Sequence, residues 1–400
     1  MEKPNFSIGL IVKNEAHTLP KLRDSLRGFV EDGGEVVILD TGSTDNTLQV
    51  AKECGFKTFE ATHSFVESIS AKSVKKIRDL YLVESDVERG IQMIKEQNTY
   101  FHFSRARNEL HKYVTNDIVL QLDGSDTLGA FDYKSICQAI ANGCERFEYT
   151  QIYSSVELTI SRFYHKSVDV WEGRIHEILT HQSKKPIMKL TKEQLLVIHH
   201  YQPKKRTYLS GLFSDLLEKP NHTRTLYYLG RELMFAGLYG SSIEMLRKYV
   251  ARPDCWIPER SSAYCLIGNC YENMGKEYYI QAFQSYNDGF VAFNGWREPL
   301  LKMARLCQRT DEFQRGLCYA MAALSVKRIS AFAEPMCNYL GLPHEVAYWG
   351  YHFTGRAREA STHWKIAITL EPNHEKYKHD AQYFDKPELF DEITLKHYLR

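Results

Sequence analysis

Three short apolar runs, each ending on acidic or amide side chains, constrain this chain more than any other feature. Phe6–Val12 leads into Asn14-Glu15, Val36–Leu39 into Asp40, and Ile118–Leu122 into Asp123-Gly124-Ser125-Asp126. Runs this short and this uniformly apolar fit strands buried on both faces. Between the first two, Leu19 to Phe29 has helical spacing and Gly33-Gly34 then breaks the chain; after the second, Ser43, Thr44 and Asp45 are natural caps for a helix reaching about Cys54. This alternation predicts a Rossmann-like α/β layout, a mostly parallel sheet with crossover helices on both faces. Ligands bind such sheets at the carboxyl ends of the strands, so Asn14, Glu15, Asp40 and Asp45 are expected to converge there, and Asp123 and Asp126 likewise sit just past a strand end.

From 62 to 101 charged residues dominate, and Val74, Ile77, Leu80, Val87, Ile91 and Ile94 recur at roughly helical spacing, which predicts a helical insertion. Its Lys72, Lys75, Lys76 and Arg78 fit either a lid over phosphates or a solvated helix face. A further helix is expected from Asn108 to Val114. After about Lys204 the strand signal ends. Gly237, Ser242, Leu246, Tyr249 and Asp254 are spaced 5, 4, 3 and 5 apart, and Gly355, Ala360, Trp364, Ala367 and Pro372 repeat that spacing. This is the rhythm of the second helix of a tetratricopeptide (TPR) type hairpin, in which a small residue lets two helices approach. Ile267-Gly268, Tyr271, Gly275 and Ala282 follow it loosely, with two residues inserted. The expected organisation is an α/β domain over 1–204 with the insertion at 62–101, a linker helix at 205–221, all-α TPR-like repeats over 222–374, and a C-terminal tail or capping segment over 375–400.

A chain of 400 residues is long enough for two separate cores. Its 51 basic and 50 acidic residues produce no field that would collect nucleic acid. No stretch approaches the roughly 20 apolar residues of a membrane span, and the N-terminal apolar run is too short for a signal peptide, so a cytoplasmic protein is expected. The nine cysteines lack C-x-x-C pairs, which fits reduced thiols and suggests no structural zinc.

Asp123 and Asp126 have the chemistry of a divalent-cation site, since hard oxygen ligands on a rigid strand end can hold Mg2+ or Mn2+ against a diphosphate. The same tetrapeptide also suits an ordinary turn. His181, His199 and His200 match no compact ligand spacing, and His199-His200-Tyr201 is expected to end the last strand of the α/β domain.

In order along the chain, SIGLIVKNEA, EVVILDTGSTDNT, FSRARNE and NDIVLQLDGSD resemble the motifs of family 2 glycosyltransferases, and Arg162-Phe163-Tyr164 and Trp171 to Glu177 resemble two later ones. The likeness extends to the subgroup with TPR repeats after the catalytic domain, which includes lipopolysaccharide-core and peptide S-glycosyltransferases. The resemblance implies a GT-A fold and an inverting hexosyl transfer from a nucleoside diphosphate sugar, a UDP-sugar being favoured, to a protein, peptide or glycan acceptor. It implies Asn14, Glu15, Asp40, Arg107, Asn108 and Asp123 at the nucleotide; Asp123, Asp126 and His176 at a Mn2+ or Mg2+ ion; and Glu177 as the base, with Asp126 beside it in the catalytic group. Where the family has another acidic residue this chain has Ser125, which keeps a second reading open: a degenerate nucleotide-sugar binder on a TPR-like scaffold. The aromatic-rich repeats could hold the acceptor or a second copy of the chain.

Overall fold

The computed structural model describes residues 3–153, 156–180, 185–200, 208–327 and 336–399. The chain forms two compact units: Met1–Leu80 with Ile91–Pro220, and Tyr81–Gly90 with Asn221–Arg400.

The first unit opens with β1 (Ser7–Val12), α1 (Leu19–Ser25), α2 (Arg27–Glu31), β2 (Glu35–Asp40), α3 (Thr47–Glu53) and β3 (Lys57–Glu60). The insertion follows: β4 (Val66–Ser68), α4 (Ala71–Tyr81), α5 (Val87–Glu96) and β5 (Thr99–Phe101), with β4 and β5 paired as an antiparallel ribbon. Then come α6 (Phe103–Leu110), β6 (Ile118–Asp123), β7 (Asp126–Phe131), α7 (Tyr133–Ala141), β8 (Phe147–Tyr153), β9 (Val156–His165), β10 (Val170–Glu172), β11 (Ile178–Thr180), β12 (Met188–Lys189), β13 (Leu195–His199) and α8 (Leu209–Glu218).

Among the described residues the main sheet has nine strands in the order β3-β2-β1-β6-β9-β8-β13-β7, with β12 beside β8. Alternation along the strands separates two cores. Ile8, Leu10, Val36, Ile38, Leu120 and Leu122 pack with Leu19, Leu22, Phe29 and Ile136 of α1, α2 and α7, while Val37, Leu39 and Val119 pack with Ala106 and Leu110 of α6. Helices therefore cover both faces, as period-two burial requires. A Cβ at Gly9 would stand 2.7 Å from Leu110 Cδ2, so the glycine sets how closely α6 approaches β1.

The sheet is mixed, with parallel pairs in the majority: β3, β2, β1 and β6 run parallel, as do β8–β13 and β8–β12, whereas β6–β9, β9–β8 and β7–β13 are antiparallel. For β8–β9 the physical reason is connection length: from Tyr153 to Val156 there is no room for a crossover helix, and only an antiparallel partner can be reached so quickly. The first helical stretch is also broken, at Leu26, and the helix expected at Asn108–Val114 runs instead from Phe103 to Leu110. The insertion is not all helix and not all in the first unit, since Tyr81–Gly90 groups with the second. The expected boundary at 204/205 lies outside the described residues; α8 occupies part of the expected linker and groups with the first unit.

At the amino end of β2, Glu35 gathers Ser7 Oγ, Lys57 Nζ, and Thr115 through both its N–H and Oγ1. Burial opposes its charge, but these donors outweigh burial and bring its pKa down to about 2.

The second unit is a series of helical hairpins: α9 (Thr223–Phe235) with α10 (Tyr239–Val250), α11 (Ile257–Met274) with α12 (Tyr279–Ala292), α13 (Glu298–Arg309) with α14 (Phe313–Ser325), and α15 (Gly341–Phe353) with α16 (Ala357–Leu370). Gly237 and Gly355, which open the two sequence repeats, are left-handed hairpin turns at φ 73° and 75°. Behind them Ser242, Leu246 and Tyr249, and likewise Ala360, Trp364 and Ala367, are buried. A third copy, Asp311, Gly316, Ala320 and Ala323, has the same leading spacing, but its turn residue is aspartate at φ 59°, which hides it in the sequence. Close approach of the helices is real: a Cβ on Gly230 would meet Leu246 Cγ at 2.5 Å, and one on Gly268 would meet the Tyr286 ring at 2.3 Å. The 375–399 stretch forms α17 (Glu375–Phe384) and α18 (Glu392–Leu399), burying Tyr377, Phe384 and Leu395. Among the described residues, no helix is long and apolar enough to cross a membrane.

Candidate active site

The loops after β1, β2 and β6 leave the sheet together, because Val12 lies opposite Asp40 and Ile11 opposite Asp123 in the parallel register. Asn14 turns the chain through a left-handed backbone (φ 57°). It also closes the neighbouring loop: its Oδ1 accepts the Thr44 N–H at 2.7 Å and its own N–H donates to Ser43 Oγ at 2.9 Å. Asp40 accepts from the N–H and hydroxyl of Ser43, and the Glu15 N–H donates to Thr47 Oγ1 at 2.8 Å. A Cβ on Gly124 would stand 2.9 Å from Glu15 Cγ, so the glycine is what lets Glu15 lie against the Asp123–Asp126 turn.

Beside this edge stands a cluster of charges, Arg107 buried and Asp123 and Arg162 part-buried. Arg107 of α6 donates from Nη2 to Asp123 Oδ1 at 3.0 Å and from Nε to Glu177 Oε1 at 2.8 Å. Its guanidinium lies 5.0 Å from the centre of the Trp171 ring. Its Nη1 is buried and has no hydrogen-bond partner among the described residues. Arg162 of β9 donates from Nη1 to the other oxygen of Asp123 at 2.9 Å. Burial alone would raise the Asp123 carboxyl, but the two guanidiniums outweigh it and hold this group well below the usual carboxylate range.

Asp126, three residues on, is treated in the opposite way. Its Oδ2 accepts the Asp123 N–H at 2.8 Å, and its Oδ1 faces His199 Nδ1 at 2.8 Å and Gln151 Nε2 at 3.3 Å. Burial pushes its carboxyl up, more than the His199 hydrogen bond can pull it down. Burial lowers His199, but the Asp126 hydrogen bond outweighs it and the imidazole is raised. The tetrapeptide is thus a turn and a charge site at once: the Ser125 carbonyl accepts the His200 N–H at 3.0 Å and ties the end of β13 to the turn.

Asp123, Asp126 and His199 bring ligand atoms within 4.8 Å of one another. The imidazole within reach of both carboxylates is His199, a residue not expected at the cation. The register decides this, since His199 pairs with Asp126 across the β13–β7 ladder. His176 has a left-handed backbone (φ 53°), and its ring lies 5.2 Å from that of Tyr208. Asn108 also differs from expectation: its amide grips the backbone of Trp171, donating to the carbonyl at 2.9 Å and accepting the N–H at 3.0 Å. It positions the ring under Arg107. His199 and Arg162 are the residues whose place at the centre the sequence did not disclose; the signals were a motif resemblance at Arg162-Phe163-Tyr164 and a histidine at the end of the last strand.

No family model matches the chain. Two curated proteins are similar to it: the SPbeta prophage-derived glycosyltransferase SunS of Bacillus subtilis (strain 168) and the glycosyltransferase SunS of Bacillus phage SPbeta. Each is 24% identical over 271 residues, a match covering 62% of this chain and 54% of the relative. The likeness is to a glycosyltransferase. The chain spans about half the length of these curated relatives. Among solved structures, one of MamA matches 42% of this chain and 90% of its own at 19% identity and a TM-score of 0.34. A thermophilic TPR protein of Thermus thermophilus matches 44% of this chain and 87% of its own at 20% identity and a TM-score of 0.32.

Proposed function

We propose that the chain is a GT-A type glycosyltransferase, transferring a hexosyl unit with inversion from a nucleoside diphosphate sugar, a uridine one being favoured, to a protein, peptide or glycan acceptor. The observation that carries the reading is the meeting of Glu15, Asp40 and the Asp123–Asp126 turn at one sheet edge, with Glu177 tied to Asp123 through Arg107. The distant likeness to glycosyltransferases adds to it.

In this reading Glu15 and Asp40 hold the nucleoside, their carboxylates accepting from base N–H and ribose hydroxyls. The buried Nη1 of Arg107, without a partner among the described residues, is a donor for a phosphate oxygen. Glu177 accepts the proton of the acceptor nucleophile as that nucleophile bonds to C1 and the C1–O bond to the diphosphate breaks. Two carboxylates and an imidazole are a donor set that fits Mn2+ or Mg2+, so Asp123, Asp126 and His199 would hold the ion. Bound there, a cation supplies positive charge to the departing diphosphate.

One observation favours the second reading, a nucleotide-sugar binder without turnover: Glu177 and both oxygens of Asp123 are already engaged by arginines. Incubation with a panel of nucleotide sugars, with and without Mn2+, separates the two. Nucleoside diphosphate release that Glu177→Gln abolishes while donor binding persists is the expected result. Binding without release in the wild type would leave the scaffold reading standing.

A further inference from the structure

The arginines on Asp123 are not equivalent. Arg107 is anchored three ways: to Asp123, to Glu177 and over Trp171, with its side chain 4% exposed. Among the described residues Arg162 reaches a single carboxylate, Asp123; its guanidinium lies 6.0 Å from the centre of the same Trp171 ring, and its side chain is 22% exposed. Together with Asp123 and Glu177 the two guanidiniums make a group of two positive and two negative charges. A divalent cation arriving alone would find both Asp123 oxygens taken and would add two charges to a cluster already neutral. A diphosphate arriving alone would meet Asp123 and Glu177 still in place. The two together bring charges that largely cancel.

We infer that Arg162 is a built-in counter-ion at the cation position of Asp123, released by joint arrival of a divalent cation and a diphosphate and then turned to the diphosphate. This rests on the cation reading of Asp123 given above and deepens it. Arg162 is the group that moves because it holds one carboxylate, stands farther from the Trp171 ring and has a partly open side chain, whereas displacing Arg107 would also strip Glu177 of its partner. The consequence is coupling: the cation raises diphosphate affinity, and the diphosphate raises cation affinity by the same factor. Arg162 is a positioning residue here, acting through Asp123.

The test is Mn2+ binding, followed by the free-ion spin resonance signal, in the full chain without and with uridine diphosphate. In the wild type Mn2+ alone should bind weakly, and uridine diphosphate should tighten it by about tenfold or more, the size of ordinary coupling. Arg162→Gln should bind Mn2+ alone about tenfold more tightly than the wild type, because one competing charge has gone, while metal-free uridine diphosphate binds more weakly. Arg162→Lys keeps the charge and should stay near the wild type, and near-ultraviolet dichroism with a thermal melt reports whether each variant is folded. A folded Arg162→Gln whose affinity for Mn2+ alone is unchanged or lower would overturn the inference while leaving the cation site intact. Mn2+ and uridine diphosphate binding to Asp123→Asn as tightly as to the wild type would sink both the inference and the cation reading.

Discussion

Two carboxylate clusters sit at opposite ends of the parallel strands, Glu35 at the start of β2 and Asp123 at the end of β6, and they are built to different ends. At the amino end, Glu35 of β2 is surrounded by two hydroxyls, a backbone N–H and one lysine, each within hydrogen-bonding distance. At the carboxyl end, Asp123 faces two guanidiniums, Asp126 is buried with its charge disfavoured, and Arg107 Nη1 and Gln151 Oε1 are buried without partners among the described residues. A cluster whose donors and acceptors balance stabilises the fold and has no capacity left for a ligand. One with orphaned polar atoms carries a desolvation cost that a ligand can offset. The difference separates a structural carboxylate from a functional one more sharply than burial does.

The comparison can be broken most directly through Glu177. Glu177→Gln is expected to lower kcat about 1000-fold, the ordinary range for a lost general base, with uridine diphosphate affinity retained. Glu35→Gln should leave kcat unchanged at temperatures where the variant is folded. A matching loss of kcat in Glu35→Gln would erase the distinction.

The next largest effect belongs to Glu35 and is read as stability. Its folded pKa of about 2 lies below the unfolded value of 4.5, so folding releases protons. Its contribution, about 3 kcal/mol at the conversion of 1.36 kcal/mol per unit, is complete above pH 4.5 and fades as pH falls towards 2. Denaturant melts of the wild type from pH 7 to pH 2 should lose that stability progressively. Glu35→Gln should start lower at pH 7 and lose correspondingly less on acidification.

At the carboxyl end, His199→Ala should weaken Mn2+ binding in the presence of uridine diphosphate by about 10-fold to 100-fold, as loss of a metal ligand or its support does. His176→Ala should do less, and titration calorimetry of the two variants ranks them. Equal losses would return His176 to the cation site. The smallest effect is steric: Gly124→Ala brings a methyl to 2.9 Å from Glu15 Cγ. It should cost about 1 kcal/mol of stability and weaken uridine diphosphate through Glu15, whereas Gly268→Ala, against the Tyr286 ring, should cost stability alone.

Much of this was legible from residues close together in the chain. The runs at Phe6–Val12, Val36–Leu39 and Ile118–Leu122 became β1, β2 and β6, because a continuous apolar run has few options other than a buried strand. Asn14, Glu15 and Asp40 were placed at one edge because parallel strands share their carboxyl ends. Gly237 and Gly355 announced hairpin turns, since a left-handed residue is most often glycine; Asp311 adopts the same conformation without announcing it. The antiparallel return of β9 was not legible, and with it went the position of Arg162.

What the sequence determined by itself is the set of local conformations: strands, turns, helical hairpins and the acidic ends of the first strands. Each follows from interactions among residues a few positions apart. Tertiary structure alone decided that His199 joins Asp126, that Asn108 clamps Trp171, and that Arg107 and Arg162 share Asp123. Those contacts span up to 73 positions of chain. Strand order and register set them, and neither leaves a local signature.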